Sequence, residues 1–395
     1  MHAHDAAPAA GTAPLSRSRL GTSRRHLLAA AGVTAGHVIA RPIVARADEK
    51  ASSLQTVNVG IIGVGNRGST HLKVLLAQPG VRVVAVCDTN PDRLAAAQER
   101  VVQAGQPKPF GTADWKELLA RGDIQAVTSA LPVDLHIGCY LDVLKAGKDL
   151  YAEKPMCLTL AECDTLIAAA RAARDRIVQI GFQRRSDPKF LEAMALVHAG
   201  ELGRLVEGRV LWSNSWGPLY DWFGKRERSG DWMVEQAVHN WDVLNWASRS
   251  TPKRAMGMGR SGFFTDQQPD RNVHDYYSGV LEYENGLIVN IVHSWVAPPG
   301  LDREYTQLVG EQGGIDFNTG AITYRKSTGK AERKVGAEAG PDSTTLAFAA
   351  FLRSVRERVP AIAGPEEGRQ ALLSCLMMRE AVSRGTVVTP KDIGA

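Results

Sequence analysis

The sequence predicts an α/β protein in two parts. A doubly wound parallel sheet is expected over residues 57–181, and a second α/β domain with an open, mostly antiparallel sheet over residues 182–395. Three observations predict this. Val57–Asp88 reads as strand, glycine turn, helix, strand and acid. Short apolar runs then alternate with helical segments as far as Gly181, which demands parallel pairing with right-handed crossovers. Beyond residue 198 the pattern changes to longer alternating segments with a hairpin signal, which suits antiparallel strands.

The first stretch is the most informative. Val57–Ile62 is mostly apolar and leads into Gly63-Val64-Gly65-Asn66-Arg67-Gly68. Gly63 permits a tight turn, Gly65 lets the backbone approach a pyrophosphate, and Gly68 lets the new helix pack against the strand. The first N–H groups of that helix face the phosphates, so Asn66 and Arg67 belong to the same cradle. The next apolar run, Val81–Val86, ends at Asp88. That acid falls about 20 residues after Gly68, where a dinucleotide site places a carboxylate on the ribose hydroxyls. Asp88 would repel a 2′-phosphate, which favours NAD over NADP. Arg67 and Arg93 are the residues that keep NADP open.

The remaining elements follow in order. Pro91–Gln103 is predicted helical, with Asp92 and Arg93 at its start. Asp114–Ala120 is a short helix, Ile124–Ala130 a strand, and Leu135–Ala146 a helix stopped by Gly147. Asp149–Ala152 is a strand, Leu160–Arg174 a helix and Ile177–Gly181 a strand. In the second part Phe190–His198 is helical. Strands are expected at Leu205–Ser215, Ala255–Gly259, Tyr276–Tyr283, Leu287–Trp295 and Glu304–Leu308, with Glu284-Asn285-Gly286 as a hairpin turn. Asp231–Ala247 reads as one continuous helix, and Ser343–Arg358 and Glu366–Arg384 close the chain. Ser327–Gly340 is polar and reads as a loop.

The net charge of +5 misleads, because residues 1–47 hold six arginines against one aspartate. The remainder has 41 basic and 41 acidic residues, which removes the compositional argument for a nucleic-acid or anionic-membrane partner. No apolar run reaches the roughly 18 residues of a membrane span. Residues 1–47 read instead as an export signal: Arg24-Arg25 precede a modest apolar stretch, Leu27–Ala40, and Ala45-Arg46-Ala47 is an A-x-A cleavage site. Paired arginines ahead of a weakly hydrophobic segment resemble a twin-arginine signal. They predict the twin-arginine export machinery as a partner and a periplasmic or secreted destination, with residues 48–56 as a polar linker. That route carries folded proteins, so a cofactor can be loaded before export. The five cysteines contain no C-x-x-C pair, and Cys87 and Cys139 fall in apolar segments. Neither zinc nor a disulfide framework is expected.

Ligands of a doubly wound sheet bind beyond the carboxyl ends of its strands. Two segments fall there: Leu131-Pro132-Val133-Asp134-Leu135-His136 and Glu153-Lys154-Pro155. Leu131, Pro132, His136, Glu153 and Lys154 are therefore expected at the cofactor crevice. A second constellation comprises Glu235, His239, Asn240 and Asp242. On one helix Glu235 and His239 share a face one turn apart, and Asp242 adds a second carboxylate three residues on. A carboxylate beside a histidine raises its basicity and fixes its tautomer, which suits an imidazole that removes a hydroxyl proton. The set lacks H-E-x-x-H spacing, and no metal is expected. Six of the eight tryptophans lie between residues 212 and 246. Trp246 is expected in the core. Others suit stacking on the apolar face of a sugar ring, with Arg184, Arg185 and Asn240 as hydroxyl partners.

The motifs GVGNRG, VCD at a strand end, LPVDLH, AGKDLYAEKP, GFQRR and EQAVHNWD resemble the family of glucose–fructose oxidoreductase and inositol dehydrogenase, the Gfo/Idh/MocA family, over about residues 57–385. The resemblance implies a Rossmann domain that binds NAD, followed by an open-sheet domain that binds substrate and makes a homo-oligomer through its sheet. It implies that Lys154 contacts the reacting hydroxyl and that His239 is the acid/base. Glu235 stands where many members have aspartate, which keeps the charge and lengthens the arm. The implied activity moves a hydride between a secondary alcohol of a sugar or polyol and a tightly bound nicotinamide cofactor. Free NAD is expected to be scarce outside the cytoplasm, so two cycles remain open. A second sugar reoxidises the bound cofactor, or a redox-neutral sequence oxidises, eliminates a group and returns the hydride, as in NAD-dependent glycosidases of the family. A non-catalytic sugar- or NAD-binding protein is the third reading, and the Lys154–Glu235–His239 set argues against it.

Overall fold

A computed structural model of the chain describes residues 55–336 and 340–395. The expected export signal and all but the last two residues of the linker lie outside the described residues, as do residues 337–339 of the expected loop.

The first sheet is built from β1 (Val57–Ile62), α1 (Asn66–Ala77), β2 (Val81–Cys87), α2 (Pro91–Gln103), β3 (Phe110–Thr112), α3 (Trp115–Leu119), β4 (Ala126–Ser129), α4 (His136–Lys145), β5 (Asp149–Ala152), α5 (Leu160–Ala172) and β6 (Val178–Ile180). Its order is β3-β2-β1-β4-β5-β6 with every pair parallel. β4 and β5 are buried along their whole length, as strands covered by helices on both faces must be. The helices start on local signals. The Asn90 side chain caps α2, with Pro91 at its first position, and Thr159 and Glu162 form a capping box on α5. The strand order reverses between β1 and β4, which opens a crevice at their carboxyl ends.

The second part contains α6 (Pro188–His198), β7 (Leu205–Ser213), α7 (Arg226–Ser229), α8 (Trp232–Glu235), α9 (Val238–Ser248), β8 (Pro252–Arg260), β9 (Tyr276–Tyr283), β10 (Ile288–Ser294), β11 (Arg303–Gly310), β12 (Gly313–Asp316), β13 (Ala321–Tyr324) and β14 (Arg333–Lys334). The sheet runs β14-β13-β12-β11-β7-β10-β9-β8 and is antiparallel except where β7 meets β10. The hairpin expected at Glu284-Asn285-Gly286 joins β9 to β10 in antiparallel register, with Gly286 at φ +86°. The last two helices are α10 (Ser343–Glu357) and α11 (Pro365–Arg384). α11 buries Leu372, Cys375 and Met378 in the core that also holds Leu281 and Tyr283 of β9. Part of the opposite face of the sheet stays open, with Met256 and Met258 exposed.

Three expectations change. α10 packs Phe348, Phe351 and Leu352 against Val59, Ile61 and Leu72, so a division at residue 181 leaves α10 outside the core it helps build. The single helix expected at Asp231–Ala247 is broken into α8 and α9 around Gln236-Ala237. Trp246 is only half-buried, and the fully buried tryptophans of that stretch are Trp232 and Trp241. All five cysteines are buried thiols, and among the described residues no helix is long and apolar enough to cross a membrane.

Candidate active site

The glycine turn is fixed by close approach. Gly63 has φ +79°, and a Cβ there would stand 2.6 Å from the Ala130 carbonyl oxygen. A Cβ on Gly68 would stand 1.8 Å from the Gly63 carbonyl oxygen, so no side chain fits where α1 meets β1. Gly65 differs: its added Cβ would meet only Arg93 Nη1, at 3.5 Å, and it faces a cleft of about 1200 Å³. Asp88 accepts from Val64 N and Asn90 N, both at 2.9 Å, which ties the acid to the turn. We expect Gly68→Ala to lower the melting temperature, whereas Gly65→Ala should keep it and weaken NADH binding, as read by calorimetric melts and a fluorescence titration.

Of the expected cofactor residues, Gly63, Gly65, Asn66, Arg67, Asp88, Leu131, Pro132, Glu153 and Lys154 line this cleft. The cleft is large enough for a dinucleotide, and Gly65 leaves the room a pyrophosphate needs. Asp88 lines the cleft together with Asp114, Glu153 and Glu235. Arg67 donates to Glu153 Oε1 at 2.7 Å, so at least its Nε is engaged by an acid; Arg93 is the cation beside Gly65. His136 is a correction. It lies behind the cleft, its ring nitrogens 2.8 Å from the Pro155 carbonyl oxygen and 2.9 Å from that of Leu131. A neutral imidazole donates only one of these bonds at a time. Its part is to fasten the two loops from behind.

Glu153 sits at the centre of a buried network. Its Oε1 also lies 2.8 Å from His71 Nε2, and His71 Nδ1 lies 2.7 Å from Thr128 Oγ1. Its Oε2 accepts from Lys154 N at 3.1 Å. Burial pushes the Glu153 carboxyl up, but Arg67, then His71 and Lys154, outweigh it and hold the group well below the usual carboxylate range. Burial lowers the His71 imidazole against the pull of Glu153. The network therefore fits a neutral ring that donates at Nε2 and accepts at Nδ1. Sequence reading missed His71. The available signal was its place three residues after Gly68, on the same buried face of α1 as Leu72 and Leu75.

Lys154 lies two residues beyond β5, is joined to Pro155 by a cis peptide bond, and reaches to the break between α8 and α9. Its Nζ donates to the Glu235 carbonyl oxygen and to Glu235 Oε1, both at 2.7 Å. The break makes the first bond available. His239 N bonds the Gln236 carbonyl at 3.3 Å instead of that of Glu235, and Ala237 N reaches back to Trp232. A polar side chain inserted into the backbone ladder is a recognised cause of such a kink. Burial raises Glu235 above the usual carboxylate range, against Lys154.

The break also corrects the expected Glu235–His239 pair. Glu235 engages Lys154, while His239 Nδ1 is buried with no hydrogen-bond partner among the described residues. The His239 ring lies edge-on to Phe182 and tilted beside Trp212, each at 6.4 Å between centroids. Burial, then the charges of Lys154 and Arg184, hold the imidazole well below its ordinary value. Its state near neutral pH is a free base whose Nδ1 is buried and unpartnered.

The other expected hydroxyl partners divide. Arg184 lies over Trp212 at 5.6 Å, pairs with Glu304, and keeps Nη1 unpartnered. Glu304 was invisible in the sequence, because it reaches Arg184 only through the register of β11 opposite Trp212 of β7. Asn240, fully buried, donates to Thr306 Oγ1 at 2.8 Å and leaves Oδ1 without a hydrogen-bond partner among the described residues. Arg185 and Asp242 are a correction. Arg185 grips Asp242 through Nε and Nη2 at 2.8–3.1 Å and lies over Trp246. This buried bidentate pair belongs to the scaffold and not to a ligand. Arg185→Ala would strand a buried carboxylate and should cost about 3–5 kcal/mol of stability, visible as a lower denaturation midpoint.

A doubly wound sheet, a glycine turn with its acid, and a lysine beyond the end of β5 define a nicotinamide-dependent class of oxidoreductase. Comparison with known proteins agrees. Residues 57–182 match the model described as "Oxidoreductase family, NAD-binding Rossmann fold", and residues 190–316 match the GFO/IDH/MocA C-terminal domain. An inositol 2-dehydrogenase 2 of Saccharopolyspora erythraea is 30% identical over 298 residues, 72% of this chain and 80% of that protein. A glycosyl hydrolase family 109 protein of Streptomyces niveus is 38% identical over 157 residues, 39% of this chain and only 32% of that protein. The solved scyllo-inositol dehydrogenase of Lactobacillus casei with bound NAD(H) and scyllo-inositol shares the fold at TM-score 0.70 and 19% identity, covering 85% of this chain and all of that one. The chain belongs to the GFO/IDH/MocA family.

Proposed function

We propose that this protein is an NAD-dependent oxidoreductase acting on a secondary alcohol of a sugar or polyol, with the cofactor held between turnovers. The observation that carries the reading is Lys154. It lines the same cleft as the glycine turn and bonds Glu235, the last residue of α8, just before the helix that carries His239. Bound in that cleft, the nicotinamide would accept a hydride from the alcohol carbon. The chain's own residues do the rest. His239, kept neutral by burial, takes the hydroxyl proton. Lys154 donates to the oxygen as it gains negative character. Glu235 orients Lys154, and Glu153 fixes the backbone from which Lys154 projects. The polyol class is supported by the inositol dehydrogenase relative.

A second reading has its own support in the family 109 glycosyl hydrolase relative: a redox-neutral cycle in which transient oxidation loosens a neighbouring bond. Both readings use Lys154 and His239 in the same way. Export through the twin-arginine route to the periplasm or beyond is supported by Arg24-Arg25 and the A-x-A site. Assembly through the open sheet is supported by the exposed Met256 and Met258 on β8 and Ile288 on β10, the next strand but one. The test is a panel of sugars and inositols added to the NAD-loaded protein while nicotinamide absorbance is followed. Reduction by at least one polyol is expected. Cleavage of an aryl glycoside with no net reduction by any member would favour the second reading.

A further inference from the structure

The cleft has a wall for which the catalytic residues give no reason. Between β7 and α7 the chain runs along its mouth, and Trp216, Leu219, Tyr220, Trp222 and Phe223 all line it. Trp216 and Tyr220 are 58% and 43% exposed, a pair of large rings left at the rim of the cleft. Yet the segment is not loose. Trp232 stacks on Trp295 at 3.8 Å and supports Phe223 from behind, while Trp216 meets the edge of Trp295 at 5.6 Å. Gln268 Nε2 donates to the carbonyls of Leu219 and Tyr220 at 3.3 and 3.4 Å.

This wall is fastened to the glycine turn. Asn66 Nδ2, in the first helical residue after Gly65, donates to the Tyr220 hydroxyl oxygen at 3.0 Å across a separation of 154 residues. Arg228 Nε pairs with Asp134 at 3.1 Å, tying α7 to the loop after β4. The two parts are thus bonded to each other at two points beside the cleft, and the Asn66–Tyr220 bond is the more exposed of the two.

We infer that Tyr220 is a latch that retains the nicotinamide cofactor, by bonding Asn66 and closing the aromatic segment 214–224 over the cleft. The inference rests on the proposed binding of NAD in this cleft. It gives a resident cofactor a physical cause other than the glycine turn, which fast-exchanging dehydrogenases also need.

The test is the release rate of NADH, followed by fluorescence after mixing the NADH-loaded protein with excess NAD. Tyr220→Phe keeps the ring and removes the acceptor. Asn66→Ala removes the donor. Each is expected to speed release by about 2- to 10-fold, the range for one lost hydrogen bond. The double variant should be no faster than the faster single, because both remove the same bond. Unchanged release in Tyr220→Phe would overturn the latch, and so would a double variant whose rate is the product of the two single effects. A wild-type protein that binds no NADH would instead overturn the proposed function, a result separable because it needs no variant.

Discussion

Replacing Lys154 with methionine should reduce kcat by roughly 100- to 1,000-fold, the usual loss when a donor to a developing oxyanion is removed. The same change does a second thing, because Lys154 is also the partner of a buried carboxylate, Glu235. Breaking a buried pair from one side costs about 3 kcal/mol or more. The two effects separate in a second variant. Lys154→Met with Glu235→Gln leaves no unpaired charge and should recover most of the melting temperature, while its rate stays low. Steady-state kinetics and thermal melts of the pair decide this. Recovery of activity together with stability would reduce Lys154 to a scaffold residue.

Replacing His239 with glutamine should cost about 100- to 10,000-fold in kcat if the imidazole is the general base. The pH dependence gives an independent sign. Burial, then Lys154 and Arg184, hold His239 well below the ordinary value of 6.5, so the free base persists as the solution is acidified. The acid limb of kcat/KM should therefore lie clearly below pH 6.5 and vanish in the variant. A limb at or above 6.5 would mean that a carboxylate does neighbour the ring after all. Stability follows the same sign. A group with a depressed folded value contributes fully above its unfolded value and loses that contribution as pH falls through the folded one. Burial depresses His71, His136 and His293 as well, His293 to about 4, so the protein should melt progressively lower from pH 6.5 towards pH 4.

The parallel half was legible because its signals are local. Val57–Ile62, the three glycines and Asp88 lie within one supersecondary unit, and each has one physical job. β3 went unread because Phe110–Thr112 is too short to show a period. β12, β13 and β14 went unread because strands of two to four residues are too short to show an alternation. α10 read correctly as a helix, but its placement against β1 and α1 is a long-range packing choice that helical periodicity does not encode.

The site shows the same division. Lys154 was found from its position after a strand, a topological argument that needs no side-chain geometry. The role of Glu235 was misread because spacing assumes an unbroken helix, and its partner is a lysine 81 residues away. Arg185 and Asp242 looked like ligand-binding groups for the same reason that they make a good internal pair: a planar cation suits a carboxylate wherever the two meet. The twin-arginine reading rests on residues 1–47, which lie outside the described structure.

The account turns on a nicotinamide held in the Gly63–Asp88 cleft. The most direct measurement is the cofactor content of the protein purified without added nucleotide, denatured and assayed enzymatically in the supernatant. NAD in amounts approaching one per chain, reducible by a polyol before denaturation, is the expected result. A protein that yields no nicotinamide and shows no NADH binding on titration would contradict the account.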